Sequence, residues 1–154
     1  MTNISYDYIR GLVQGTGTFT FTTSSNLGSL RKRKIPAFQL RMSTSDENLL
    51  EVIRDKLKLK NKIYVYHYLG KDSSNRKPIA ILIVREISAL KNIIIPVFYN
   101  QLLGSRADQF EEWLEKIGTD PAVPKSYKLL YRLHQSGYFK RELCRGGLFE
   151  KFIV

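Results

Sequence analysis

A chain of 154 residues with 43% apolar residues is long enough for one domain with its own hydrophobic core. Its 25 lysines and arginines outnumber its 14 aspartates and glutamates, which gives a formal net charge of +11 at pH 7. This excess is typical of proteins that bind a nucleic acid or an anionic membrane surface. The longest apolar runs, Ile79–Val84 and Ile93–Phe98, have about six residues, whereas roughly 20 are needed to span a bilayer. We therefore expect a nucleic-acid partner and no membrane, and the single cysteine, Cys144, indicates a reducing compartment.

The first third of the chain predicts two strands between two helices. Residues from about 5 to 14 carry an apolar stripe typical of a short helix, which ends at Gly15-Thr16-Gly17. The segment Thr18–Thr23 alternates threonine with phenylalanine, as a half-buried strand does. A polar loop over residues 24–34 leads to a second strand, in which residues 38, 40 and 42 face inward. Thr44–Glu47 is a capping box that opens the second helix.

The rest of the chain predicts two more strands and further helices. We expect strands at about Lys62–Leu69 and Pro78–Arg85, then helices at Ile87–Phe98, Arg106–Ile117 and Ser126–His134. This order indicates an α+β fold in which helices cover one face of a four-stranded antiparallel sheet and leave the other face outward. We expect a core domain over residues 1–120. Residues 121–154 form a basic, aromatic C-terminal extension that packs on the core or on a partner.

The segment Tyr8–Phe19 resembles the LAGLIDADG motif of single-motif homing endonucleases. The matching residues are the glycines of the motif, its central apolar pair and the phenylalanine of the strand that follows: Gly11, Leu12, Val13, Gly15, Gly17 and Phe19. The order and length of the elements agree with that family from about Tyr6 to Ile117. The resemblance implies an αββαββα fold with a curved four-stranded antiparallel sheet and extra C-terminal helices. It also implies an ancestry in site-specific DNA cleavage.

Gly11 and Gly15 lie four residues apart, on one face of the predicted helix, where they let a second backbone approach closely. The resemblance implies that this face packs against the motif helix of a second copy, because a chain with one motif has to pair with itself. We therefore expect a homodimer. A different protein partner, or packing of the two glycines against the core of this chain, stays open.

The positions that carry the family's chemistry have changed in this chain. The resemblance places a metal-binding carboxylate at Thr16 and often a second acid at Gln14. It places a water-positioning glutamine near Met42 and a catalytic lysine at Ser105. A neutral hydroxyl does not replace a carboxylate as the anchor of a hard cation. We therefore expect no catalytic residue and no cofactor, with magnesium required only if endonuclease activity survives.

The outward sheet face and one basic run are the candidate nucleic-acid interface. Hydroxyl, amide and guanidinium groups contact base edges and phosphates, and tyrosines stack on bases. The run Arg31-Lys32-Arg33-Lys34 is expected at a hairpin tip, where it neutralises phosphates. The residues expected to bind nucleic acid are Thr18, Thr20, Thr22, Arg31, Lys32, Arg33, Lys34, Gln39, Arg41, Tyr64, Tyr66 and Tyr68.

Three functions are compatible with these patterns. The first is a DNA-binding protein derived from a homing endonuclease and without cleavage activity. The second is an RNA-binding component of an organellar ribonucleoprotein, such as a ribosome or an intron maturase complex. The third is an active magnesium-dependent, site-specific DNA endonuclease. By association with the family we expect an intracellular protein of a mitochondrion or plastid, and a bacterial or archaeal cytoplasm stays open.

Overall fold

The computed structural model describes residues 3–24, 32–67 and 77–140. Its first elements are α1 (Tyr6–Thr16), β1 (Gly17–Ser24), β2 (Arg33–Ser43), α2 (Glu47–Lys56), β3 (Tyr64–Tyr66) and β4 (Ile79–Val84). They are followed by α3 (Ile87–Ala89), a π-helical turn (Leu90–Ile94), α4 (Ile95–Phe98), α5 (Gly104–Thr119) and α6 (Lys128–Gln135). Short 3-10 turns precede α2 and α6, at Thr44–Asp46 and Lys125–Tyr127. This architecture confirms the α+β class, and no helix in the described ranges is long and apolar enough to cross a membrane.

The four strands form one antiparallel sheet in the order β1-β2-β4-β3. Residues that face each other across the strands put their side chains on the same side of the sheet. The pairs Phe19–Phe38 and Leu40–Leu82 belong to the side that the helices cover, which we call the helix face. The opposite side, which we call the open face, carries Thr18, Thr20, Thr22, Arg33, Ile35, Ala37, Gln39, Arg41, Tyr64, Tyr66, Ile79, Ile81 and Ile83.

An aromatic cluster centred on Phe19 holds the helices against the helix face. The Phe19 ring centroid lies 4.8 Å from that of Phe110, 5.4 Å from that of Trp113 and 5.8 Å from that of Phe98. Trp113 Nε1 also donates a 2.8 Å hydrogen bond to the carbonyl oxygen of Thr20. These contacts place α4 and α5 on one side of β1, and the described helices leave its opposite side uncovered.

The C-terminal helix continues the same core. Leu130 and Phe139 are buried in the cluster that contains the sheet residues. A 2.8 Å hydrogen bond joins Tyr99 Oη to His134 Nδ1 and ties α6 to the end of α4. Gly118 of α5 lies so close to the ring of Tyr131 that a Cβ there would collide with it.

The helix expected at Ile87–Phe98 contains a π-helical turn that the sequence pattern did not predict. Pro96 has no N–H, so it cannot continue the α-helical hydrogen bonding through this stretch. Instead, Ile95 N–H donates to the carbonyl oxygen of Leu90, five residues earlier. The third strand is also shorter than expected within the described residues, since it covers only Tyr64–Tyr66.

Candidate nucleic-acid interface

A groove runs across the open face between its tyrosines and its central isoleucines. Its floor is closely packed: Ile81 is 4% exposed and Gln39 is 8% exposed. Two aromatic rings stand above this floor, with Tyr64 47% and Tyr66 59% exposed. The groove thus combines a firm apolar floor with accessible rings and polar groups, and it is lined by Thr22, Gln39, Arg41, Tyr64, Tyr66, His67, Ile79, Ile81, Ile83 and Arg85.

Three polar side chains from β1 and β2 line this groove: Thr22, Gln39 and Arg41. Arg41 Nη2 donates a 3.2 Å hydrogen bond to Gln39 Oε1, which orients both groups from one strand. Among residues 3–24, 32–67 and 77–140, the amide nitrogen of Gln39 donates no hydrogen bond. The Thr22 hydroxyl is buried and has no hydrogen-bond partner within the described ranges. Buried polar atoms are normally paired, so a hydroxyl in this state has an unused hydrogen-bonding capacity.

Most residues that the sequence assigned to the interface lie together on the open face. They are Thr18, Thr20, Thr22, Arg33, Gln39, Arg41, Tyr64 and Tyr66. Arg31 and Tyr68 lie outside the described residues, and Lys32 is exposed just before β2. Sequence reasoning missed the isoleucines at positions 79, 81 and 83, although their period-2 spacing along β4 places all three on this face.

The described residues of the basic run, Lys32 to Lys34, do not all project to one side of the sheet. The structure begins β2 at Arg33, so alternation sends neighbouring side chains to opposite faces. Arg33 pairs with Ser24 on the open face, whereas Lys34 pairs with Thr23 on the helix face. There, Lys34 Nζ lies 3.1 Å from Asp120 Oδ2. Lys34 therefore lies on the face opposite Arg33 and pairs with Asp120, and its contact with nucleic acid stays a prediction.

Asp120 closes the turn after α5 and anchors it to β2. Its carboxylate accepts a 2.8 Å hydrogen bond from the Ala122 N–H as well as the ammonium of Lys34. These two donors, with the backbone N–H first, hold the pKa of the Asp120 carboxyl below its ordinary value. In addition, Lys34 N–H donates to the Ala122 carbonyl oxygen at 3.0 Å. The charge of Lys34 thus serves the packing of this turn.

The motif helix α1 has one buried face and one uncovered face. Ser5 caps its start by accepting a hydrogen bond from the Tyr8 N–H, and Ile9 and Val13 are fully buried on the inner side. Gly11 and Gly15 are exposed, and a Cβ built at either position meets no described atom within 4 Å. The alternative that these glycines pack against the core of this chain is therefore excluded for the residues described here.

The loop before α5 extends this uncovered surface. The Gln14 side chain holds the loop with two hydrogen bonds: its amide nitrogen donates to Leu103 O at 2.7 Å, and its carbonyl oxygen accepts from Leu103 N at 2.9 Å. The Leu103 side chain itself is 77% exposed, more than any other large apolar side chain described. A carboxylate at Gln14 lacks the N–H groups and would make only one of the two bonds.

At the end of α1, hydrogen bonds within the chain occupy the polar groups. Thr16 Oγ1 donates to Leu12 O at 2.8 Å, and Arg106 Nε donates to Gln14 O at 3.4 Å. Arg106 Nη1 also donates to Gln109 Oε1 at 2.8 Å, and the same oxygen accepts from Phe19 N–H. The network joins α1, β1 and α5 through neutral and cationic groups.

Ser105 and Met42, the other two positions where the resemblance implies a lost catalytic side chain, are also neutral. Ser105 is exposed at the start of α5, and Met42 lies half-buried on the helix face. Position 17 requires a glycine, because a Cβ there would lie 2.5 Å from Val13 Cγ1. Within residues 3–24, 32–67 and 77–140, no three His, Cys, Asp or Glu side chains converge as a metal site.

Comparison with known families identifies the class of protein that this fold represents. The sequence profile described as LAGLIDADG endonuclease matches residues 9–117 of this chain. The chain therefore belongs to the LAGLIDADG endonuclease family, as its motif indicated. Among curated proteins, no sequence is similar enough to count as a relative.

Solved structures of this family share the fold at low sequence identity. The LAGLIDADG homing endonuclease I-LtrWI, bound to target DNA, is 24% identical with a TM-score of 0.57, over 73% of this chain and 36% of its own. The meganuclease I-SmaMI, bound to uncleaveable DNA, is 21% identical with a TM-score of 0.62, over 96% of this chain and 45% of its own. The homing endonuclease I-TnaI is 17% identical with a TM-score of 0.61, over 92% and 81%. This chain thus spans less than half the length of the first two.

Proposed function

We propose that this protein binds duplex DNA across its open face, as one half of a two-fold symmetric assembly, and does not cleave it. The observation that carries this proposal is the groove, because its accessible tyrosines and its Arg41–Gln39 pair lie on the sheet face that none of the described helices covers. Two structural neighbours carry DNA in their crystals. The net charge of +11 supplies the long-range attraction to phosphates.

The residue types on the open face suit the reading of a groove in DNA. A major groove roughly 12 Å wide admits a β-ribbon, and each base pair presents its own pattern of donors, acceptors and methyl groups there. The exposed Arg41 provides donors for purine edges, and the half-buried Ile79 and Ile83 provide apolar contacts for thymine methyl groups. We therefore assign sequence recognition to the strands.

A second copy of this chain is the partner that best fits the uncovered face of α1. That face combines two glycines that leave room for another backbone and an adjacent apolar side chain, Leu103, that is 77% exposed. Small residues on a helix let a second helix approach closely, and an exposed leucine beside them gains from burial. Two-fold pairing requires a pseudo-palindromic target.

The groups at the end of α1 do not fit the metal ions on which cleavage in this family depends. Magnesium prefers charged oxygen ligands, whereas Thr16 offers a neutral hydroxyl that already donates to Leu12 O. Gln14 is bound to Leu103 through both of its polar atoms. Arg106 adds a positive charge beside them. These features support binding without hydrolysis.

The binding face is tested by paired variants in a fluorescence anisotropy titration with duplex DNA. Tyr64→Ala and Tyr66→Ala remove exposed rings from the open face and are expected to weaken binding at least several-fold. Val65→Ala is the matched control, because Val65 is 42% exposed on the same strand but projects from its other face. Equal affinities for all variants would mean that the groove is not the binding surface.

A structured RNA is the second candidate ligand, and the exposed tyrosines favour it, since aromatic side chains stack on unpaired bases. Competition distinguishes the two ligands. Unlabelled duplex DNA should displace the bound DNA at lower concentration than a stem-loop RNA of equal length. The reverse order would identify an RNA-binding protein, as in the ribonucleoprotein hypothesis.

A further inference from the structure

A lysine-rich segment lies between α2 and β3 and is not part of the groove lining. Residues 56–62 read Lys-Leu-Lys-Leu-Lys-Asn-Lys. Leu57 and Leu59 are buried in the core, whereas Lys58, Lys60 and Lys62 are exposed. Two buried leucines therefore anchor the segment, and the lysines between them project into solvent.

Hydrogen bonds at both ends fix the path of this segment. Leu59 N–H donates to the Arg54 carbonyl oxygen at 3.0 Å, which closes the turn after α2. Asn61 Nδ2 donates to the Ile83 carbonyl oxygen at 2.9 Å, which ties the segment to β4. The segment thus continues the edge of the sheet before β3 begins.

The lysines continue the open face outward. Lys62 Nζ lies 5.9 Å from the ring centroid of Tyr64, which stands in the groove, so the two side chains share one side of the chain. The alternation of buried and exposed residues extends this side back to Lys60, whereas Lys58 lies in the turn after α2 with a φ of 58°. Residues two apart on extended backbone lie roughly 6.6 Å from each other, which spaces Lys60 and Lys62 along the edge of the sheet.

These charges have no counter-ion in the part of the chain that the structure describes. None of the ion pairs found there involves Lys58, Lys60 or Lys62. Glu86, which lines a cavity together with Lys58 and Lys60, accepts a 3.1 Å hydrogen bond from Asn61 Nδ2. Like charges side by side repel one another unless a polyanion screens them.

We propose that Lys58, Lys60 and Lys62 form a phosphate track, which holds the backbone of the nucleic-acid strand that leaves the groove at its β3 edge. The inference rests on the proposed function, because it takes the open face as the site of the nucleic acid. The track contributes affinity and register and no base selectivity, since ammonium groups contact phosphates as point charges.

The test compares two triple variants of equal charge by the salt dependence of DNA binding. K58Q/K60Q/K62Q removes the track. K91Q/K116Q/K125Q removes three lysines from the helical layer that covers the helix face. Both are titrated with one duplex at several salt concentrations, and thermal melts check that each variant is folded. The slope of log K against log salt falls by about 0.9 for each phosphate that the protein no longer neutralises.

We expect the slope of the track variant to fall by about 2.7, against a change near zero for the control. Its affinity should drop by the same factor for the preferred duplex and for a scrambled one. Equal slopes in the two variants would overturn the track and leave the groove intact. If the wild-type protein binds neither duplex DNA nor structured RNA, the proposed function fails and the track fails with it.

Discussion

Replacing the motif glycines by alanine should change two measurable quantities in opposite directions. Gly11 and Gly15 lie in α1, and a Cβ at either position meets nothing within 4 Å in the described part of this chain. Alanine is better than glycine inside a helix by about 1 kcal/mol. The isolated chain should therefore become more stable, and its melting temperature should rise by about 2–4 °C per kcal/mol for a chain of this size.

The same methyl groups should weaken self-association. If α1 packs on its symmetry mate at these glycines, each added methyl forces the helices apart, and overpacking of a close contact costs about 1–3 kcal/mol. Since 1.4 kcal/mol is a factor of about ten in an equilibrium constant, Gly11→Ala should raise the dimer dissociation constant by about one to two orders of magnitude. Sedimentation equilibrium measures it, and dilute thermal melts measure the monomer.

Gly118→Ala is the matched control because its Cβ would strike the Tyr131 ring inside the chain. It should lower the melting temperature of the monomer and leave the affinity of folded copies for each other unchanged. Unchanged association of Gly11→Ala would refute the assignment of this face to a second copy. A lower melting temperature for the Gly11→Ala monomer would show instead that the glycine has a neighbour within its own chain.

Three further substitutions separate the roles of individual residues. Thr16→Asp should restore binding of magnesium to the assembled protein in a calorimetric titration but no cleavage on a gel, because Ser105 stands where the family has its lysine. Arg33→Ala should weaken DNA binding and reduce its salt slope by about 0.9, whereas Lys34→Ala should lower the melting temperature by losing its pairing with Asp120 and change the slope little. The Asp120 carboxyl has its pKa held below the ordinary value of 3.8 by a backbone N–H and by Lys34. The charged Asp120 therefore stabilises the fold fully above pH 3.8, and this stabilisation is lost as the pH falls through the lower folded-state pKa. Asp120→Asn removes this titration, so the free energy of unfolding, measured in urea titrations, should fall less steeply below about pH 4.

The fold was predictable because its signals are local and periodic. The alternation of Thr18–Thr23 specifies its strand without long-range information. The capping box predicted at Thr44–Glu47 was wrong, because Thr44–Asp46 forms a 3-10 turn capped by Ser43, and Asp46, the N-cap of α2, makes no side-chain capping hydrogen bond. The motif at Tyr8–Phe19 then selected the topology. Element ends were less predictable, as the π-helical turn at Leu90–Ile94 shows, because its hydrogen bonds adjust to Pro96 within an otherwise helical pattern.

The positions of the site residues were predictable only where the alternation of side chains along a strand decides which face of the sheet a residue lies on. This alternation places Gln39 and Arg41 on the open face, and the register confirms that placement. It also separates Arg33 from Lys34, but only once the start of β2 is known. The partner of Lys34, Asp120, lies 86 residues away in the sequence, and no local pattern reveals such a pair.

The role of Gln14 was not accessible from the sequence either. Its position matched an acid of the family motif, so the substitution indicated only the loss of a charge. The structure shows what the amide does in its place, since both of its polar atoms bind the backbone of Leu103. That loop carries the exposed Leu103, so Gln14 holds an exposed apolar side chain near the end of α1.

The most direct test of binding without cleavage is a selection from a randomised duplex DNA library, carried out with and without magnesium. DNA retained by the purified protein is sequenced together with the ends of its strands. We predict enrichment of one pseudo-palindromic sequence, with intact strands under both conditions. Strand ends that appear inside the enriched sequence only when magnesium is present would show an active endonuclease and contradict the account. An absence of any enriched duplex would contradict it as well.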